Sequence, residues 1–551
     1  MSDPAEVVPF GDRALLARTA DVAAAHALAR RLDRDVDAHR APAPVDEVVV
    51  GFASVLVVLG PGPAPEVLAA CAAWVVAAAG ASDDPRPPGS VGRTHVLPVV
   101  FDGADLAGVA SMLGTSAEEV VGLLVDADLE VAFVGFAPGF PYLTGLPAPL
   151  ASLPRRATPR TSVPAGSVAV AAGFASVYPR STPGGWHLLG RTTASLFDPD
   201  VPPHSRVAPG DRVRFTGIEG APAPTGPGHP QADDRRAPLE CDGPHLAILR
   251  AGLATTVQDA GRVGCAPLGV PAAGAADPRA LALANLLVGN PAGAAALECT
   301  AQGPSFVVAG DGHVAVVGVE PGAVEVTVDG HPVADSTVVP VADGQVVDVG
   351  RIRAGLRAYV AVAGGLATPV LFGSRSSDTL AGLGTGPVVT GDRLARGEPG
   401  RARGRLEPDT GRTTVLRVVP GPHGSPADGL ADSPWSVGAE ADRIGVRLDG
   451  AAGARLAGGD PQDSTPMVTG AVQVPPDGRP IVLLPDHATV GGYPVVACVV
   501  TADLPVLGQL APGDTVTFVE VDVTTAARLA VAAAGRTAAR VSGWYPSVPG
   551  L

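Results

Sequence analysis

Four short stretches of this chain gather side chains that do acid–base or anion chemistry. The first runs Leu484-Pro485-Asp486-His487-Ala488-Thr489-Val490-Gly491-Gly492-Tyr493, with Val472-Gln473-Val474 before it and Ala502-Asp503 after it. Pairing of the strands there would bring an amide, carboxylates and an imidazole together near Gly491 and Gly492. Asp486, His487 and Asp503 are the candidate acid–base groups, and Gln473 is the candidate for orienting a bound amide. Strand neighbours face opposite ways, so Asp486 and His487 are not a dyad by themselves. The second stretch, Arg155-Arg156-Ala157-Thr158-Pro159-Arg160, sets three guanidiniums beside a fixed turn. They suit a carboxylate or phosphate in fork geometry, or form a solvated basic patch. The third, Pro183-Gly184-Gly185-Trp186-His187, ends four residues before Arg191. Gly184 and Gly185 allow close backbone approach, and His187 is either a general acid–base or a structural histidine at a strand start. The fourth is Gln258-Asp259-Ala260-Gly261-Arg262, in which Asp259 and Arg262 either face a ligand or pair with each other. Gly135-Phe136-Ala137-Pro138-Gly139-Phe140-Pro141-Tyr142-Leu143 is a rigid loop. Its rings at Phe136, Phe140 and Tyr142 line a cleft or form a buried aromatic turn.

Other chemistries are excluded or weakly marked. All 39 basic residues are arginine, so the chain carries no Walker-A lysine, Schiff-base lysine or biotinyl-lysine. Gly382-x-Gly384-x-Gly386 is a weak phosphate-loop hint, since no helix follows it. No H-x-x-x-H spacing occurs, and no metal is assigned. The net charge is −16, and the arginines are scattered rather than striped, which argues against a nucleic-acid partner. The longest apolar stretch, Val67 to Ala81, falls short of the roughly 20 residues a bilayer requires, and no signal peptide is recognisable. Membrane association is not expected. Five distant cysteines read as reduced thiols of a cytoplasmic protein.

The elements that position these residues are mostly short strands. Val-rich runs are broken by Gly (70) and Pro (57), while 46% of residues are hydrophobic. One order of phrases occurs twice. Val163-Pro164-Ala165-Gly166, Pro183-Gly184-Gly185-Trp186 and Ala208-Pro209-Gly210-Asp211 are followed later by Val474-Pro475-Pro476-Asp477-Gly478, Gly491-Gly492-Tyr493-Pro494 and Ala511-Pro512-Gly513-Asp514. The offset drifts from 311 (Val163 to Val474) to 303 (Ala208 to Ala511). This predicts two related domains that enclose a common cleft. The expected units are an α/β domain at 1–88, a barrel at 89–217, a Pro/Gly linker at 218–243, a β-rich domain at 244–405, a second barrel at 412–520, and a helix with a tail at 521–551. Val48–Leu59 is expected as a strand. Helices are expected over 21–32, 65–79, 116–125, 278–287 and 523–539, with Asp277 capping the fourth.

The phrases Gly135 to Leu143, Val163 to Val168, Pro183 to Thr192 and Gly210 to Phe215 resemble the B subunit of 5-oxoprolinase. Thr255 to Arg262, Gly269-Val270-Pro271, Ala284 to Asn290, Leu297-Glu298-x-Thr300, Ala363-Gly364-Gly365, Gly373-Ser374-Arg375, Asp442 to Gly445 and the 473–503 region resemble its C subunit. The chain is thus similar to a B–C fusion. The resemblance implies cyclophilin-like β-barrels in both halves. It also implies ATP-dependent opening of 5-oxoproline to glutamate with a separate A subunit, and therefore ATP with Mg on the complex. Matched motifs make Arg160, Arg191, Arg262 and Arg443 the expected cationic clamps on the small-molecule substrate. The chain departs from the B-type pattern at Leu123-Leu124-Val125-Asp126, where relatives carry a histidine, and from the C-type pattern at Gly382 to Pro387. Paired modules of this kind also resemble the carboxyltransferase part of urea carboxylase, which implies carboxyl transfer from a biotin on another protein. A B-like segment also resembles a histidine-kinase inhibitor. A homo-oligomer is left open.

Overall fold

The computed structural model describes residues 6–81, 92–220, 237–399, 413–424, 429–457 and 463–542. Most of the expected 218–243 linker lies outside them.

Alternating Val and Leu build a small antiparallel sheet at the start of the chain. Its strand order is Val7–Pro9, Ala14–Arg18, Ser54–Leu59, Val45–Gly51. The 48–59 run expected as one strand is a hairpin, because the chain reverses at Phe52-Ala53, where Ala53 takes φ 51°. The helices Val22–Asp37 and Pro65–Gly80 cover the sheet. The first is capped by Asp21, whose carboxylate accepts from Ala24 N at 2.8 Å.

The two barrels match strand for strand. The first orders its strands His187–Arg191, Ser167–Ala171, Phe174–Val177, Pro141–Thr144, Leu129–Val134, Arg212–Gly217, Thr94–Val99. Paired backbone bonds between Val100 and Arg191 bring its ends together. The second orders Val495–Val499, Ala471–Gln473, Ile481–Leu483, Gly445–Gly450, Trp435–Val437, Thr515–Glu520, Val415–Pro420 and is closed. In each, the strand that comes last in the chain runs parallel to the one that comes first, Arg212–Gly217 with Thr94–Val99 and Thr515–Glu520 with Val415–Pro420, while every other pairing is antiparallel. Each also carries a two-stranded ribbon, Arg160–Val163 with Thr182–Gly184 and Thr465–Pro466 with Val490–Gly491.

One phrase of the repeat was in the wrong register. Val163-Pro164-Ala165-Gly166 precedes the strand Ser167–Ala171, whereas Val474 to Gly478 follows its counterpart Ala471–Gln473. Gly166 instead corresponds to Gly470, and Gly478 to Gly173, all at positive φ. The offset is then 304 or 305, close to the 303 of the closing turn, so the apparent drift came from aligning different turns. That closing turn is identical in both barrels. Asp211 accepts from Ala208 N at 3.0 Å and Asp514 from Ala511 N at 2.8 Å.

Between the barrels lies a two-sheet sandwich, six strands facing five across one Val-rich core. The helix Pro278–Leu287, capped as expected by Asp277, packs on the outer face of the five-stranded sheet. The closing helix is Val523–Ser542. A helix at Leu106–Leu113 was not expected. Among the described residues no single helix is long and apolar enough to cross a membrane.

Apolar seams join the two halves. Phe10, Leu16 and Leu56 of the N-terminal sheet pack with Val419, Leu483 and Val495 of the second barrel. Val490 enters the aromatic cluster of the first barrel. At the edge of one seam, Val495 N donates to His423 Nδ1 at 3.2 Å and the Arg18 guanidinium bonds to Pro422 O. Burial, and then the Arg18 charge, push the His423 pKa down from 6.5 to about 4. An acceptor nitrogen must stay unprotonated. The folded chain therefore binds fewer protons here than the unfolded chain between pH 4 and 6.5, and this stabilisation is complete above 6.5 and lost as pH falls toward 4. The urea midpoint of wild type should fall more steeply over that window than that of His423→Gln. Parallel profiles would refute this contribution.

Candidate functional site

The motif Gln258-Asp259-Ala260-Gly261-Arg262 leaves its strand and grips the segment 374–377. Asp259 uses its acceptors on that segment rather than on Arg262. Its Oδ1 takes Ser374 Oγ (2.6 Å), Ser376 Oγ (2.6 Å) and Gly261 N (2.9 Å), and its Oδ2 takes Arg375 N (2.6 Å). Gln258 Nε2 donates to Ser377 O at 2.9 Å, and Arg262 Nη2 donates to Ser376 O. These bonds fix the start of a loop whose next residue is Asp378.

Asp378 is 2% exposed. Its Oδ1 accepts from Ala381 N at 2.7 Å, while Oδ2 is buried without a partner. Burial and the nearby Asp486 carboxylate raise its pKa to about 7, against the opposing pull of the Ala381 N–H, Arg262 and Arg180. Arg262 is 1% exposed, and its Nε and Nη1 have no hydrogen-bond partner. Burial lowers its pKa, and Asp378, Asp259 and Asp486 work against that.

The second barrel supplies the other wall. After the strand Ile481–Leu483, Asp486 Oδ2 accepts from Thr379 N (2.8 Å) and Thr379 Oγ1 (2.7 Å), next to Asp378. Arg443 holds Asp486 through Nη2–Oδ1 (2.8 Å) and Nε–Oδ2 (3.1 Å). It also reaches the sandwich, with Nη1 on Glu298 Oε1 at 2.5 Å and Nη2 on Gly274 O at 2.6 Å. Glu298 accepts in addition from Tyr359 Oη (2.7 Å) and Ala276 N (2.8 Å), with Arg357 Nε at 3.4 Å. Burial alone would raise the Glu298 pKa. Arg443 and Arg357 reverse that and hold it below the usual range. A buried ion-pair network thus ties sandwich, loop and barrel together.

Of the residues singled out in the sequence, Asp486, Arg262 and Arg443 meet here. His487 sits in the same turn, with Nδ1 2.8 Å from Ala488 O and its pKa lowered by burial. Gln473 Nε2 donates to Met467 Sδ at 3.3 Å, beside Gly491 in the second ribbon. The others lie apart. Asp503 forms a fork with Arg417. His187 Nε2 is tied to Pro154 O at 2.9 Å. Arg160 and Arg156 share Asp105 at 2.8 and 2.7 Å. Arg191 pairs with Asp102 on the surface. Phe140 and Tyr142 are packed in an aromatic cluster with Tyr178 and Trp186, and Phe136 meets the edge of Phe140 at 5.2 Å. Gly184 lies against Tyr178 and Gly185 against Pro159, while Gly492 directly follows the ribbon strand Val490–Gly491. Asp378, Thr379, Glu298 and Arg180 were not singled out for chemistry. The signal for Glu298 was an acid inside the apolar run Ala295 to Cys299. Among the described residues no group of three His, Cys, Asp or Glu is placed to hold a metal ion.

Two family models cover the chain: carboxyltransferase domain, subdomain C and D, over residues 5–207, and carboxyltransferase domain, subdomain A and B, over 268–520. Over 287 residues, half of this chain and 91% of the relative, the sequence is 38% identical to the C subunit of 5-oxoprolinase from Escherichia coli strain K12. The chain belongs to this carboxyltransferase-domain family. Its first half is 51% identical over 122 residues to the B subunit of 5-oxoprolinase from Escherichia coli O157:H7, covering 22% of this chain and 56% of that relative. The crystal structure of TTHA0988 superposes with a TM-score of 0.79 at 34% identity, covering 92% of this chain and 99% of that one. The carboxyltransferase-domain architecture is therefore present here in the order C/D, then A/B, on one chain, and its relatives are components of enzymes.

Proposed function

We propose that the chain supplies the B-like and C-like parts of an ATP-dependent 5-oxoprolinase, which opens 5-oxo-L-proline to L-glutamate together with a separate protein that resembles the A subunit. The similarity of its halves to the B and C subunits supports this. The observation that carries it is the buried Arg262 guanidinium, with two unpartnered nitrogens, beside the near-neutral acid Asp378. Unpaired buried donors are costly, and an anionic ligand would satisfy them. The set fits a carboxylate or a phosphate oxygen, so ATP with Mg is compatible with it.

A lactam is a poor electrophile. Transfer of the terminal phosphoryl group of ATP to the amide oxygen makes its carbon attackable. Water then adds to that carbon, the C–N bond breaks as the nitrogen takes a proton, and a second water cleaves the resulting acyl phosphate to carboxylate and phosphate. In such a site Arg262 holds negative charge, Asp378 holds or delivers a proton at Oδ2, and Asp486 with Arg443 keeps the loop rigid.

The deciding experiment measures glutamate and phosphate from 5-oxoproline plus ATP, with and without an A-like partner protein. The complex should release both and the chain alone neither. Turnover only with bicarbonate and a biotinylated carrier protein would instead favour carboxyl transfer, the activity in the family's description.

A further inference from the structure

Arg180 belongs to the first half, in the loop between the strands Phe174–Val177 and Thr182–Gly184, yet it sits on the Gly382 loop of the second half. A Cβ at Gly382 would lie 2.5 Å from both Arg180 Nη1 and Nη2 and 2.9 Å from Cζ, so only a bare backbone lets the guanidinium lie there. Gly382 has φ 59°. The loop is pinned from both sides. Asp378 N donates to Leu383 O at 2.9 Å and Ala381 N to Asp378 Oδ1. Ala381 and Leu383 are buried against Phe197 of the first barrel. Arg180 Nε is buried without a partner, as are Arg262 Nε and Nη1 and Asp378 Oδ2. Both guanidiniums act electrostatically on the Asp378 carboxyl.

One open nitrogen on Arg180, two on Arg262 and one open oxygen on Asp378, drawn from both halves, suit a ligand with an anionic oxygen pair beside a group that exchanges a hydrogen bond with a carboxyl. We infer that Arg180 and Arg262 together clamp the carboxylate of a small cyclic amide across the junction of the halves, with its ring amide facing Asp378. This rests on the 5-oxoprolinase reading for the ligand's identity. It adds that the B-like half contributes a specificity residue to a site otherwise built from the C-like half.

The test uses the full chain with its A-like partner protein. In Arg180→Met, KM for 5-oxoproline should rise on the order of 10–100-fold with kcat within about threefold, as expected for loss of a charge-assisted fork. Arg180→Lys should recover only part, because an ammonium cannot donate as a fork. With 2-pyrrolidinone, the same lactam without the carboxylate, Arg180→Met should cost nothing further. Arg353→Met, which breaks an exposed pair with Glu325, serves as the control with wild-type KM. Unchanged KM in a folded Arg180→Met protein, with wild type active, overturns the clamp and leaves the 5-oxoprolinase reading standing. If wild type releases no glutamate, that reading fails. The clamp is then judged by thermal-shift titration of the chain with 5-oxoproline and acetate. A shift abolished in Arg180→Met upholds it, and no shift in wild type, or an equal shift in both proteins, sinks it.

Discussion

Arg443→Met should destabilise the fold by about 3–5 kcal/mol, the range for removing one partner of a buried ion pair. Arg443 is 7% exposed, Glu298 1% and Asp486 0%. Its guanidinium bonds to both carboxylates and to Gly274 O. Burial alone would lower its pKa, and the two carboxylates more than offset that. Methionine fills much of the same volume but leaves two buried carboxyl groups short of a cation, so the loss is electrostatic rather than a cavity effect. Two controls separate these causes. Arg443→Lys restores charge but cannot reach three acceptors in a plane, and should recover only part. Adding Glu298→Gln and Asp486→Asn to Arg443→Met removes the stranded charges and should restore most of the melting temperature. A melting temperature for Arg443→Met within about 0.5 °C of wild type, equivalent at this size to roughly 0.6 kcal/mol, would show that the network does not brace sandwich against barrel.

The network also explains what the sequence could reveal. Strands were legible because Val-rich runs between Gly and Pro admit few other structures, and the start of the helix Pro278–Leu287 was legible because Asp277 is a good cap. The duplication was legible in its closing Pro-Gly-Asp turns, where φ near +86° to +88° demands glycine and the Asp side chain closes the turn. It misled at Val163 to Gly166, because any turn into a strand favours the same residue types, so two different turns looked alike. The site was legible only where a charged residue stood in a distinctive phrase, as Asp486, Arg443 and Arg262 do. Arg180 stands in an unremarkable Tyr-Pro-Arg-Ser turn, and its partner Gly382 lies 202 positions later. Proximity that arises from packing two domains leaves no local spacing to read. Asp503, His187 and Arg191 looked equally chemical, yet each is neutralised or anchored by a neighbour from another strand or loop: Arg417, Pro154 O and Asp102.

Asp378→Asn should lower kcat of the assembled enzyme by about 10²–10³-fold, the typical range for a positioned acid–base group, without unfolding the chain. Asparagine keeps an oxygen for the Ala381 N–H and nearly the same volume, but carries no proton to exchange at the open position. Stability provides the independent check. Burial and Asp486 raise the Asp378 pKa from 3.8 to about 7, so between those values the folded chain holds a proton that the unfolded chain has lost. Its favourable contribution is therefore greatest below pH 3.8 and disappears as pH rises through 7. The variant does not titrate there, so its urea midpoint should decline less than that of wild type between pH 4 and 7, and at pH 8 it should be at least as stable. The wild-type rate should carry an ionisation near pH 7 that the residual rate of Asp378→Asn lacks. A variant with wild-type kcat, or one whose rate keeps the same ionisation, would move the acid–base role away from Asp378 and leave it a structural acid that holds its own loop.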